Sequence, residues 1–145
     1  MTSPLVTRSA AVQLRGTTGP IWARIYWPAR GGARTPPLLV FFPGSDSTEP
    51  DQECRELCRR GGLVILAGPT APEPVQALAD ARTIVGWAAD HAAELEADPA
   101  RLLISGRGDG LALAVEVSRI AVQEGWPELL LLTDLITTLE RTNHE

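Results

Sequence analysis

The sequence predicts an α/β protein: a three-layer sandwich whose sheet is mostly parallel, with an antiparallel pair of strands at its N-terminal end. Short, wholly apolar segments, which are typical of strands buried on both faces, alternate with amphipathic segments of helical periodicity. This alternation is typical of βαβ crossovers, which build parallel sheets between layers of helices. The length of 145 residues suits one hydrophobic core. We therefore predict a single domain over residues 1–145, in which residues 133–145 form a tail or a covering helix.

The first predicted element is an antiparallel hairpin. Two β-rich segments, Ala10 to Leu14 and Ile21 to Trp27, are separated by the turn-forming residues Gly16 to Pro20. Because an odd number of positions separates Trp22 from Trp27, one uninterrupted strand places them on opposite faces. We leave open whether one of the two is exposed or at an interface, or whether both simply pack.

A loop from Pro28 to Pro37 leads into the first buried strand, Leu38 to Phe42. A short amphipathic helix follows from Asp51 to Arg60, and its apolar residues recur at i, i+3 and i+4. This spacing predicts that Cys54 and Cys58 face the core. We expect this helix to cover one face of the sheet and two longer helices to cover the other.

Strands and helices then alternate along the rest of the chain. A long helix begins at Pro74, and its apolar face consists of Leu78, Ala81, Val85, Ala88, Ala92 and Leu95. The other elements are buried strands over Leu63 to Leu66, Leu102 to Ile104 and Leu129 to Leu132, and a helix with core residues Leu113, Val117 and Ile120 that stops at Gly125.

Composition and charge exclude several classes of function. The net charge of −5 leaves no evident basic surface for nucleic acid. The two cysteines have no second ligand pair at metal-binding spacing, so we expect no zinc site, no disulfide framework, no metal and no cofactor. The N-terminal segment lacks the apolar region of a signal peptide, and no apolar run is long enough to span a bilayer. We expect a cytoplasmic protein with no membrane or nucleic-acid partner.

Five sequence features follow one another in the order and spacing of a known family. They are LLVFFPGSD at Leu38 to Asp46, Ala71-Pro72-Glu73, Asp80-Ala81 followed by Trp87, Asp98-Pro99-Ala100-Arg101, and the strand and turn from Leu102 to Gly110. Together they resemble the hormone-sensitive-lipase-like branch of the α/β-hydrolases, to which many esterases belong. The resemblance covers nearly the whole chain and implies a truncated α/β-hydrolase fold, equivalent to the N-terminal half of a family catalytic domain.

The same resemblance implies that the residues of serine-esterase chemistry are missing. The family's G-x-S-x-G turn, the nucleophile elbow, corresponds here to the residues from Gly106 to Gly110, and Gly108 stands where the attacking serine belongs. Acyl-enzyme chemistry needs an oxygen or sulfur at that position within reach of a base. The acidic and histidine members of the triad come from later strands in the family, and this chain ends 13 residues after Leu132. We therefore expect no catalytic residue of this type.

The polar residues around this turn are instead candidates for ligand binding: Gly44, Ser45, Asp46, Arg107 and Asp109. The segment from Pro43 to Asp46 corresponds to the HGGG oxyanion loop of the family. In this chain Pro43 stands in place of the histidine, and Ser45 and Asp46 stand in place of two glycines. A carboxylate there opposes a developing oxyanion. We expect Asp109 at the N-terminus of the next helix, where its charge meets the helix dipole. The alternative is Asp109 as a nucleophile, as in dehalogenases of the same superfamily.

No other residue is a strong candidate for a catalytic role. We expect His91 to be a solvated or rim histidine on the long helix, and His144 falls in a polar tail. Ser45 and Ser105 have no predicted base, so we interpret each as a structural hydrogen-bonding residue.

The last predicted strand, Leu129 to Leu132, lies at an edge of the sheet where the family places further strands. Leaving it in water costs about 25 cal/mol per Å² of apolar surface. We therefore expect a partner at this edge, most simply a second copy related by a two-fold axis, or else the 133–145 tail.

Three hypotheses on function follow. The leading one is a non-catalytic α/β-hydrolase-like protein that acts as an assembly or small-molecule-binding module. The second is an enzyme, a hydrolase or lyase type, that reuses the pocket with a non-serine residue such as Asp109 or with acid and base groups such as Asp46. The third is a split half that another polypeptide completes.

Overall fold

The computed structural model describes residues 6–29, 34–126 and 128–133, which form six strands and three helices. In chain order these are β1 (Val6–Arg15), β2 (Pro20–Pro28), β3 (Pro37–Phe42), α1 (Pro50–Gly61), β4 (Val64–Ala67), α2 (Pro74–His91), β5 (Asp98–Gly106), α3 (Asp109–Glu124) and β6 (Leu129–Leu131). None of the helices within these ranges is long and apolar enough to cross a membrane.

The strands form one mixed sheet in the order β1-β2-β4-β3-β5-β6. β1 pairs with β2, and β2 with β4, in antiparallel fashion, whereas β3, β4, β5 and β6 are parallel to one another. The predicted fold class, a mostly parallel sheet with an antiparallel N-terminal pair between helical layers, is thereby confirmed.

The hairpin of β1 and β2 closes through a short turn in which the Gly16 N–H donates to the Gly19 carbonyl, 2.9 Å away. Ile21, Ala23 and Ile25 alternate inward along β2. Trp22, on the opposite face, is 62% exposed, whereas the Trp27 indole N–H donates to the carbonyl of Leu95. The odd separation thus places the two indoles on opposite faces.

The α1 helix packs on one face of the sheet, against a cluster that includes Tyr26, Leu39 and Phe41. Cys54 and Cys58 are fully buried in this cluster, as the spacing predicts. Burial raises the pKa of both thiols to about 12. Because the thiolate is the reactive form, these cysteines are structural rather than reactive.

The α2 and α3 helices pack together on the opposite face, where Phe42, Ile84 and Val117 belong to the larger core cluster. The observed α2 ends at His91, earlier than the apolar periodicity predicts. Ala92 and Leu95 are nevertheless buried, because a tight turn follows in which the Leu95 N–H donates to the carbonyls of His91 and Ala92. Burial at helical spacing therefore continues past the end of the helix.

The β6 strand is more exposed than the prediction of a fourth buried strand requires. Leu129 and Leu131 are half-buried, and Leu130 is 57% exposed. The predicted strand and its place at the edge of the sheet are confirmed, but its predicted burial is wrong, because in the described part of the chain β6 has a neighbour on one side only. The predicted tail or covering helix over residues 133–145 lies outside the described residues apart from Thr133.

The connections between strands create a crevice beside β3. The chain passes from β3 to β4 through α1, then back over β3 to β5 through α2. Because parallel crossovers are right-handed, this reversal sends α1 to one face of the sheet and α2 and α3 to the other. The carboxyl ends of β3 and β5 therefore flank a topological switch point, the position at which open α/β sheets bind ligands.

Candidate functional site

The turn between β5 and α3 has the shape of a nucleophile elbow with a glycine at its apex. Gly108 has φ of +61° and ψ of −130°, a conformation that side-chain-bearing residues adopt only under strain. The two flanking glycines allow strand and helix to approach closely. A Cβ on Gly106 would lie 2.4 Å from the carbonyl oxygen of Gly110, and a Cβ on Gly110 would lie 2.1 Å from that of Phe42.

The space around the apex does not itself require a glycine. The nearest atom to a Cβ on Gly108 is Oδ1 of Asp46, 3.3 Å away at the end of a flexible side chain. A serine side chain therefore has room above the sheet. The lack of a nucleophile at this position is a property of the sequence and not of the packing.

The loop after β3 packs directly against this turn. The Arg107 N–H donates to the carbonyl of Phe42 at 3.0 Å. Gly44 has φ of +99°, and a Cβ there would lie 2.4 Å from the carbonyl oxygen of Arg107. The resemblance places these two segments at the oxyanion loop and the elbow, and the structure brings them into backbone contact.

The Asp109 carboxylate is held by the loop after β3. It accepts the backbone N–H of Ser45 at 2.8 Å and the Ser45 hydroxyl at 2.5 Å. These bonds, the hydroxyl first and then the backbone N–H, lower the pKa of Asp109 below its ordinary value. Asp109 lies in the first turn of α3, as predicted, one residue after the apex.

A second carboxylate lies beside the first. Asp109 Oδ1 and Asp46 Oδ1 are 3.0 and 3.3 Å from the position that a Cβ on Gly44 would take. The crevice therefore presents two carboxylates beside the turn. A carboxylate at this position opposes a developing negative charge.

Arg107 is the one predicted ligand residue whose side chain turns toward α1. Its Nε lies 2.5 Å from Oε2 of Glu53, a carboxylate that is largely buried on that helix. The Ser47 hydroxyl donates to the other oxygen of Glu53. This bridge ties the elbow to α1, and sequence periodicity contains no signal for it because Glu53 reads as a polar position on an amphipathic helix.

An apolar cavity of about 480 Å³ opens next to Asp109. Its volume is within the ordinary range for small-molecule sites, about 300 to 1,000 Å³. Its polar lining includes Asp109 and Glu116, and its apolar walls include Pro72, Pro74, Val75, Leu78, Ala112 and Leu113. The sequence assigns Leu78 and Leu113 to the core, but both are only half-buried because they face this cavity.

The remaining candidates from the sequence lie outside this crevice or make structural bonds. The His91 ring stacks on Trp87 at the last turn of α2, roughly 25 Å along the helix from the end that borders the cavity. The Ser105 hydroxyl donates to the carbonyl of Leu132 at 2.6 Å. Within the described ranges no three metal-ligating side chains come together, and His144 falls outside those ranges.

The chain is similar in sequence to an esterase. It is 28% identical over 134 residues to Esterase LipI of Mycobacterium tuberculosis, and the match covers 85% of this chain and 42% of that protein. No protein-family model matches the sequence.

Solved esterase structures share the fold. A hyperthermophilic esterase from the archaeon Pyrobaculum calidifontis superposes with a TM-score of 0.73 at 28% identity, over 86% of this chain and 42% of that one. The thermostable carboxylesterase EstE1 from a metagenomic library gives a TM-score of 0.74 at 27% identity, over 90% and 48%. The resemblance to hormone-sensitive-lipase-like esterases is confirmed in sequence and fold, and the chain spans less than half the length of these relatives.

Proposed function

We propose that this chain, a relative of esterases with the α/β-hydrolase fold, is a non-catalytic module that binds a small molecule beside the elbow and does not cleave esters. The observation that carries the proposal is the backbone conformation of Gly108. The chain keeps the strained turn that in relatives raises a nucleophile above the sheet, but the residue at its apex has no side chain.

The loop after β3 supports the same conclusion independently. In an acyl-transfer enzyme the backbone donors at this position are free to receive a developing oxyanion. Here the Ser45 N–H is already bonded to the Asp109 carboxylate, and the Asp46 carboxylate lies nearby. The site therefore lacks the attacking atom, and a carboxylate occupies the backbone donor that would stabilise the negative charge.

An ester-turnover assay combined with fluorophosphonate labelling tests this proposal. We expect hydrolysis of p-nitrophenyl acetate and butyrate at the uncatalysed rate and no covalent label, under conditions in which a serine esterase run in parallel is labelled fully. Labelling at any residue, abolished when that residue is substituted, would overturn the non-catalytic function.

A second function is favoured by the two carboxylates that flank the turn. Asp46 and Asp109 suit acid and base roles in a hydrolase or lyase-type reaction, and such chemistry does not need a serine. The Asp109 carboxylate accepts two hydrogen bonds from Ser45, which lower its pKa and so make it a weak base. If the wild-type protein turns over a substrate, and Asp46→Asn and Asp109→Asn each abolish that turnover, the hydrolase or lyase function is favoured over the binding module.

We also propose that a second copy of the chain pairs at the β6 edge. The exposed Leu130 and the half-buried Leu129 and Leu131 support this assembly, as does the pairing of β6 on one side within the described residues. Light scattering at micromolar concentration is expected to give a dimer mass, and Leu130→Asp is expected to shift it to that of a monomer. A wild-type monomer across this range contradicts the assembly.

A further inference from the structure

The cavity beside the elbow combines apolar walls with negative charge. One wall comes from the segment before α2 and the first turns of that helix, including Pro72 and Leu78, and the opposite wall from α3, including Leu113. Among the described residues that line it, Asp109 and Glu116 are ionisable and none is basic. A ligand in this cavity therefore meets apolar surface and carboxylates.

The two carboxylates differ in how far their charge is compensated. Glu116 forms an ion pair with Arg119 one helical turn away. Asp109, in contrast, receives its two side-chain hydrogen bonds from Ser45, whose backbone N–H and hydroxyl are both neutral. These donors and the N-terminus of α3 keep Asp109 ionised but add no formal positive charge, so a net negative charge remains at the edge of the cavity.

The same contact closes the crevice to anions. The Ser45 N–H points to the place where a ligand carboxylate or an oxyanion would be received, and an oxygen of Asp109 already occupies it. An incoming anion would have to displace that carboxylate and approach a like charge. A cation meets neither obstacle, because an ionised carboxylate has about four lone-pair directions and Ser45 uses two of them.

We propose that Asp109 makes this cavity selective for organic cations, of which a primary ammonium on an apolar chain is the simplest. The apolar chain lies against the Leu78 and Leu113 walls, and the ammonium donates to Asp109. This inference rests on the proposed binding function and adds to it the chemical class of the ligand and the residue that selects it.

The test uses three probes with the same chain: hexylamine, hexan-1-ol and hexanoate, titrated into the protein at pH 7 and followed by NMR chemical shifts of cavity residues. We expect hexylammonium to bind about five-fold more tightly than hexanol, the size of effect that an exposed ion pair supplies, and hexanoate to bind most weakly. The preference for the cation should shrink as salt is added.

Two substitutions at Asp109 separate its charge from its position in the loop. Asp109→Asn keeps an oxygen that accepts the Ser45 N–H but removes the charge, so the preference for hexylammonium should disappear and hexanoate should gain little. Asp109→Ala also frees the Ser45 N–H, so hexanoate should become the tightest of the three probes. Asp90→Asn, on an exposed position of α2 away from the cavity, removes the same charge and should change none of the affinities.

The outcomes test the cation selectivity separately from the proposed binding function. If hexanol binds as tightly as hexylammonium, or if Asp109→Asn leaves the order unchanged, the selectivity is wrong while the binding module stands. If none of the probes binds, both the selectivity and the binding function fail. Should the Asp109 variants not fold, the wild-type order of the three probes and its salt dependence still decide.

Discussion

Gly110→Ala is expected to destabilise this protein by about 3 to 5 kcal/mol, a large part of the total stability of a domain of this size. The added Cβ would lie 2.1 Å from the carbonyl oxygen of Phe42 and 3.0 Å from the backbone nitrogen of Gly44. Both are backbone atoms, one in the last residue of β3 and one in the loop that follows it, so relief requires moving α3 away from the sheet. Denaturant unfolding followed by circular dichroism measures the loss.

Gly86→Ala is the matched control, because it adds the same methyl group to a glycine in a helix. Gly86 is exposed on α2, and nothing lies within 4 Å of the position its Cβ would take. Alanine is the better helix former, so this variant should gain about 0.5 to 1 kcal/mol. Equal effects at the two glycines would show that the close approach of α3 to β3 is not what position 110 requires.

Phe42→Ala is expected to cost about 3 to 5 kcal/mol, the range for removing a large aromatic side chain from a core. Phe42 is the last residue of β3, has no exposed surface, and belongs to the cluster beneath α2 and α3. Its loss leaves a cavity directly under the elbow. Thermal and denaturant unfolding should both report the change.

Trp22→Ala provides the comparison for that variant, because it also removes a large aromatic side chain from a strand. Trp22 is 62% exposed on the outer face of β2, so its removal should cost less than about 1 kcal/mol. A loss at Trp22 as large as that at Phe42 would contradict the exposure of Trp22 and indicate that a partner covers the outer face of the hairpin.

The elbow separates the requirements of folding from those of chemistry. Gly106 and Gly110 are needed by the packing, since a Cβ at either position would meet backbone atoms. Gly108 faces open space apart from the flexible Asp46 side chain, so the packing leaves room for a serine side chain there. The chain thus keeps the two glycines that the fold demands and lacks the residue that only the esterase reaction demands.

The negative charge at this site is also separate from the requirements of folding. Asp109 is exposed in the first turn of α3, and its carboxylate reaches Ser45, 64 positions earlier in the chain. The resulting contact fixes a negative charge beside the elbow. The preference for a cation that we propose above rests on this charge.

The sequence by itself determined the elements whose burial follows a local period. The opposite faces of Trp22 and Trp27 on β2 and the burial of Cys54 and Cys58 on α1 follow from spacing alone, because a strand repeats every two residues and a helix every 3.6. The order of the family's motifs predicts the elbow glycines. Two of them, Gly106 and Gly110, lie where the close approach of strand and helix leaves no room for a side chain.

Only the tertiary structure decided how the site is assembled. The Arg107 bridge to Glu53, the hold of Ser45 on Asp109 and the exposure of Leu78 and Leu113 in a cavity join segments far apart in the chain. In the sequence, the residues that make these contacts have the same spacing as ordinary surface or core residues. A local pattern reports which face of an element is apolar, but which loops meet at the end of a sheet depends on how whole elements pack.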